Sequence, residues 1–278
     1  MAAESNTRPN IAELLEELSE AGDQAPLELA EAILALREEA VEPLRAILRD
    51  KYNWEEAELP AGWMVVHAAL LLGKIGVSAA IPELIGCLHY LDHTWVLERL
   101  PTIFANIGPS AIEPLKQYLS ESRREHDIWF RAVRAAESLG TIAFKYPEYQ
   151  EEIITFLNQV LDAAQPPMDE DDYFHDYLGA VLVALGSPSS QPIIERALEK
   201  KIVRTECLLS VCPVSIVGGK HLIFSTQPPD EETEIRHWAE HDLLTFYYLE
   251  EIIGRQRQWQ EIEAITGPHQ PVQPQEQV

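Results

Sequence analysis

Five stretches of the chain repeat one arrangement of apolar positions. They are AVEPLRAIL from Ala40, AIPELIGCL from Ala80, AIEPLKQYL from Ala111, YQEEIITFL from Tyr149 and SQPIIERAL from Ser190. Each has an aliphatic residue four positions after its start: Leu44, Leu84, Leu115, Ile153 and Ile194. Each has another four later: Leu48, Leu88, Leu119, Leu157 and Leu198. Residues four apart share one face of an α-helix, so each stretch predicts an amphipathic helix. The starts are 40, 31, 38 and 41 residues apart. Pro43, Pro82, Pro114 and Pro192 stand near the beginnings, where a missing N–H has no intrahelical partner to lose.

A second apolar run precedes most of these stretches and carries a glycine. WMVVHAALLLGKIG ends at Gly73 and Gly76, WVLERLPTIFANIG at Gly108 and YLGAVLVALG at Gly186, while WFRAVRAAESLGTI carries Gly140. Glycine past a helix end takes the left-handed cap conformation with little strain, so these glycines predict helix ends. The unit is helix, short turn, helix, repeating every ~30–40 residues. Residues 1–25 predict an N-terminal capping helix, with Ile11, Leu14, Leu15 and Leu18 on one face. Residues 26–201 hold the repeats. KYNWEEAELPAGW from Lys51 and QPPMDEDD from Gln165 are insertions, and the acids Asp169, Glu170, Asp171 and Asp172 suit a helix N-terminus.

After Lys201 the pattern changes. SIV and HLIF flank Gly218-Gly219 and fit a small hairpin, though a short helix fits the first half of that stretch equally well. A helix is predicted from about Glu232 to Ile253, continuing through RQRQWQEIEAI. On its wheel Ile235, Trp238, Phe246, Leu249 and Ile253 form the buried stripe. Residues 202–266 therefore predict a C-terminal module that caps the open end of the repeats, and the Pro- and Gln-rich residues 267–278 predict a disordered tail.

The string L-G-x-I-G followed by A-A-I-P-E-L resembles a HEAT repeat of the short bacterial, PBS-lyase HEAT-like form. Leu72, Gly73, Ile75, Gly76, Ala79, Ala80, Ile81, Pro82, Leu84 and Leu88 carry the resemblance, and Ile107, Gly108, Ala111, Ile112, Pro114, Leu115 and Leu119 repeat it. The fourth unit departs from it, lacking the Ala-Ile-Pro start and joining its helices through FKYPEYQ. The resemblance implies an all-α fold, an α-solenoid of about five helical hairpins. It also implies a scaffold, adaptor or assembly factor that binds another protein and has no catalysis of its own. The alternative it carries is a bilin lyase-like or other cofactor-handling protein, delivering a chromophore, metal or cluster.

Composition narrows the partners. The chain has 278 residues and a formal net charge of −25. Such a surface repels phosphate backbones and anionic membranes and steers basic partners towards itself. No stretch has the apolar length of a membrane span, and MAAESNTRPN lacks a basic start followed by an apolar core. Three cysteines, Cys87, Cys207 and Cys212, do not make a disulfide framework, so a reducing cytoplasm is expected.

Candidate chemistry is sparse. HWAEH, His237 to His241, matches the His-x-x-Glu-His pattern of one class of zinc peptidases, with Glu240 as the base. The motif's resemblance implies a further glutamate ligand on a separate downstream helix. Glu250, Glu251, Glu261 and Glu263 are too near or in the wrong context. A structural site combining Cys207 and Cys212 with His237 and His241 is the better metal reading, against two small core thiols and two boundary histidines. No cofactor and no catalytic residue are expected. Trp63, Trp95 and Trp129 open successive first helices and Tyr173 takes the same place in the last unit. Equivalent positions line up in a repeat stack, giving either a column of aromatic anchors for a partner or internal packing. His67, Glu98, Arg99, Arg131 and Arg134 share those helices without a predicted orientation.

Overall fold

The computed structural model describes residues 10–90, 94–122, 129–167, 172–205, 215–217, 221–223 and 234–266. Among the described residues the fold is all-α apart from one small hairpin. Helix α1 (Ile11–Ala21) begins with a capping box, in which Asn10 accepts from the Glu13 N–H and the Glu13 carboxylate accepts from the Asn10 N–H. It buries Leu14 and Leu18.

The helices that follow form two rows. The first row is α2 (Leu27–Ala35), α5 (Met64–Ile75), α8 (Leu100–Ile107), α10 (Trp129–Lys145) and α12 (Phe174–Ala184), each packed on the next. The second is α3 (Glu38–Arg49), α6 (Ile81–Cys87), α9 (Ile112–Ser122), α11 (Gln150–Asp162) and α13 (Gln191–Glu199). Short helices α4 (Tyr52–Glu55) and α7 (Thr94–Leu97) lie in the connections. The ten repeated aliphatic positions of the second row point inward. Leu44, Leu84, Leu115, Ile153 and Ile194 have no exposed area, and of the later five only Leu198 is more than slightly exposed. Burying one such side chain contributes about 1.5–3 kcal/mol, so this ladder binds the two rows together.

The prolines sit at helix starts in three cases and inside α3 in the fourth, where Pro43 follows more than one turn of helix from Glu38 rather than opening it. Gly76 has the expected left-handed conformation at φ 75°, ending α5. Gly73 and Gly140 do something else. Both lie inside helices, and a Cβ would meet Ile103 and Leu243 at 2.9 Å in the first and Val181 at 2.7 Å and Ile235 at 3.1 Å in the second. These glycines make room for the C-terminal segment, since Leu243 and Ile235 both belong to it.

That segment departs from its predicted shape and place. Residues 234–253 are not one helix. They form α14 (Glu234–Glu240), a 3-10 turn (Leu243–Tyr247) and the start of α15 (Leu249–Thr266). Asp242 makes the break: its backbone is extended, and its carboxylate accepts both the Leu244 N–H and the Lys74 ammonium at 2.7 Å. The phase of the helix is reset across this break. Leu249 and Ile253, predicted to be buried, are 70% and 37% exposed, and Ile252 and Arg255 are buried instead.

Among the described residues the hairpin sits at the last repeat. Strands β1 (Ser215–Val217) and β2 (His221–Ile223) pair antiparallel, with Ser215 opposite Ile223, and β2 lies against α13. Residues 234–259 lie along the first row. Helix α14 packs on α10 and α8, the Leu243–Tyr247 turn on α5 and α2, and α15 on the Gly22–Gln24 turn. The predicted cap at the end of the repeats is thus corrected. Residues 234–259 cover the first-row face and reach the N-terminal end, because the glycines and aromatic residues of that face accept them. No helix among the described residues is long and apolar enough to cross a membrane.

Candidate functional site

The first-row face is where the sequence placed its aromatic column. Trp63 precedes α5, Trp95 lies in α7, Trp129 opens α10 and Tyr173 precedes α12. Trp63 and Trp95 meet with ring centres 5.7 Å apart, and Trp129 meets Tyr173 at 5.5 Å and Tyr177 at 6.3 Å. Neighbouring members of the column thus meet in two pairs, Trp63 with Trp95 and Trp129 with Tyr173. Its upper half is not open to a partner. Phe246 from the C-terminal segment packs on Trp63 at 5.9 Å and on Trp95 at 6.3 Å, and Trp63 is only 6% exposed. The lower half is half-buried, with the Arg204 guanidinium 4.1 Å above the Tyr173 ring. Arg204 also ion-pairs with Asp176, a carboxylate buried in α12.

Below Phe246 lies a fully buried histidine. His67 Nε2 is 2.9 Å from the Gly22 carbonyl, and Nδ1 is 3.1 Å from the Tyr247 hydroxyl. A carbonyl can only accept, so Nε2 carries the proton and Nδ1 accepts from Tyr247. Burial lowers the His67 pKa to about 4, with the nearby Arg255 charge acting in the same direction. The ring is neutral and joins three segments far apart in sequence: the Gly22–Gln24 turn, α5 and the Leu243–Tyr247 turn. Burial likewise pushes the Tyr247 hydroxyl pKa up, so it remains a donor.

Arg255 completes the joint. Its guanidinium donates to the Asp23 and Phe246 carbonyls at 2.7 and 2.8 Å and lies 3.9 Å from the Phe246 ring centre. A buried cation needs such partners, and stacking on an aromatic face adds about 0.5–2 kcal/mol. Trp259 Nε1 donates to the Asp23 carboxylate at 3.1 Å. Nothing in the pattern of apolar residues marked Tyr247, Arg255, Trp259 or Asp23; the run Phe246-Tyr247-Tyr248 was the one local signal.

The HWAEH motif resolves into structure. His237 and His241 have ring centres 5.1 Å apart, but His241 lies beyond the end of α14. Arg99 Nη1 donates to His241 Nε2 at 2.8 Å, which occupies the lone pair a metal would need. Burial, with Arg99 beside it, lowers the His241 pKa. Glu240 accepts from Arg236, not from a position facing the two rings. Cys207 and Cys212 lie outside the described residues, and among the described ones no group of three or more metal-ligating side chains is gathered. The buried Cys87 is held as a thiol, its pKa pushed up by burial. Of the other first-row residues, Glu98 is exposed and Arg134 pairs with the buried Glu137 at 2.8 Å.

The second row offers the open surface. Arg45 on α3 donates to Glu83 on α6 at 2.9 and 3.1 Å, and Lys116 on α9 pairs with Glu152 on α11. Both pairs join the sixth residue of one repeat to the fourth residue of the next. Between α6 and α9 the same places hold Ile85 and Pro114. The α11–α13 step also lacks the pair, with Ile154 and Ile193 at those places, and at the α6–α9 step a groove of about 490 Å³ opens, walled by Ile81, Pro82, Ile85, Pro114 and Tyr118, with Glu121 at its rim. No protein-family model matches this sequence, and no curated protein matches it.

Proposed function

We propose that this chain is a HEAT-like α-solenoid that binds a basic partner protein and performs no chemistry on it. Two rows of helices, with the repeated aliphatic positions buried between them, support the solenoid reading. The observation that carries the binding reading is the apolar groove at the α6–α9 step. It is an apolar surface with Glu121 at its rim, on a chain of net charge −25. An amphipathic basic segment suits it. Its apolar side chains would seat on Ile85 and Pro114 while its lysines or arginines reach the rim carboxylate. The upper half of the aromatic column, Trp63 and Trp95, packs on the C-terminal segment instead of anchoring a partner.

Capture from native extract tests this reading when it is coupled to a groove variant. The expected result is a basic protein retained at low salt and released at about 0.5 M salt, where the Debye length is a few ångströms. Ile85→Glu should abolish its capture, while Tyr52→Ala, at an exposed site on α4, should leave it intact. Retention of the same protein by Ile85→Glu, or of none by the natural chain, overturns the reading.

A further inference from the structure

We infer that the outward face of α15 pairs with the same face of a second copy of this chain, the two helices antiparallel about a two-fold axis between Ile253 and Gly254. The inner side of α15 is occupied, because Ile252 and Arg255 are buried against the rest of the chain. At about 100° per residue, the line farthest from them runs through Glu250, Ile253, Gly254 and Arg257. All four are exposed, and Leu249 beside them is 70% exposed.

That line is self-complementary. In an antiparallel pair centred between residues 253 and 254, each residue faces the one equally far beyond the centre. Ile253 therefore meets the partner's Gly254, and Glu250 meets the partner's Arg257, with both contacts repeated by the two-fold. The first contact is a fit of shape. Among the described residues nothing lies within 4 Å of a Cβ built on Gly254, so the bare backbone there leaves a hollow for an isoleucine. It also lets the helix axes approach to the short end of the usual range of about 8–10 Å. The second contact is a fit of charge, which cancels along the seam although the chain carries −25.

Leu249 extends the contact. Residues 249, 256 and 260 lie within about 20° of one line along the helix. The two-fold sets this flank against the same flank of the partner. Leu249 then comes level with the partner's Gln256 and Gln260, which line a recess together with Leu59, itself 63% exposed. Burying these leucines and Ile253 drives the association. A seam of about two turns buries less than the ~1,200 Å² of a standard interface, so the pair is a weak dimer. Repulsion between the acidic bodies is confined by a Debye length of about 8 Å at physiological salt. The inference does not depend on the partner-binding reading, which concerns the second row.

Sedimentation velocity of the full chain over a concentration series tests it. At about 0.15 M salt the natural chain should dimerise with a Kd on the order of 10–100 µM. Glu250→Arg sets two arginines together at both ends of the seam, and Arg257→Glu sets two glutamates together there. Each alone should weaken the dimer roughly tenfold. Mixed in equal amounts, the two variants should associate about as tightly as the natural chain, because every charged contact then joins an arginine to a glutamate. Both sites are exposed, so the variants should keep the natural unfolding midpoint. A natural chain that is monomeric at about 0.5 mM overturns the inference. Single variants that dimerise as the natural chain does, or a mixture that stays monomeric, overturn it too.

Discussion

Phe246→Ala should lower the unfolding free energy by about 4 kcal/mol, the range expected for removing a buried phenylalanine. The side chain is 3% exposed and touches Trp63, Trp95, His67 and Tyr247 at ring-centre distances between 5.4 and 6.3 Å. Removing it also strips the Arg255 guanidinium of its aromatic face, leaving a buried cation with fewer partners. Tyr248→Ala is the control. Tyr248 is the next residue but one, 39% exposed, and its loss should cost no more than about 0.5 kcal/mol. Denaturant unfolding of the two variants makes the comparison. A cost below about 1 kcal/mol for Phe246→Ala would mean that the C-terminal segment does not lie on the first row.

Acid should weaken the same joint. The unfolded chain takes up a proton on His67 near pH 6.5, and the folded chain only near pH 4. The folded state therefore gains stability from the neutral ring that is fully present above pH 6.5. That stability falls away as pH drops from 6.5 towards 4, by about 3 kcal/mol in all, and changes no further below. Protonation at Nδ1 also turns the acceptor of the Tyr247 hydroxyl into a donor, so the hydroxyl must turn and accept in its place. His241, with its own lowered pKa, adds a smaller slope of the same sign. His67→Gln should be less stable at pH 7 but should lose most of the slope between pH 6.5 and 4. A variant with the full natural slope would place the titration elsewhere.

The two rows of helices were legible in the sequence because they rest on local spacing. Leu44, Leu84, Leu115, Ile153 and Ile194 recur at one phase, and burial follows phase. The hairpin was legible from two β-rich triplets around Gly218-Gly219. The path of the C-terminal segment was not, because its determinants act across the whole chain. Gly73 and Gly140 look like helix ends in sequence, since a glycine that frees a backbone and one that admits a neighbour are the same letter. The break at Asp242 depends on Lys74, and the buried face of α15 includes Arg255, whose partners are carbonyls at Asp23 and Phe246. An apolar stripe cannot announce a buried arginine. The aromatic column was found, but the sequence did not say that Phe246 covers it. The second-row groove had only a weak signal: Ile85 stands where Arg45 and Lys116 stand in two other repeats, and Ile154 stands there in the fourth.

The central claim is that residues 234–259 run back along the first row to the N-terminal turn, leaving the second row as the open face. Zero-length carbodiimide coupling of the natural protein tests it directly. Lys74 Nζ on α5 lies 2.7 Å from the Asp242 carboxylate, and both side chains are more than a third exposed. The account predicts an isopeptide link between Lys74 and Asp242, identified by mass spectrometry of the monomer. Coupling of this segment's carboxylates to Lys200 or Lys201, with no link at Lys74, would place it at the end of the repeats and contradict the account.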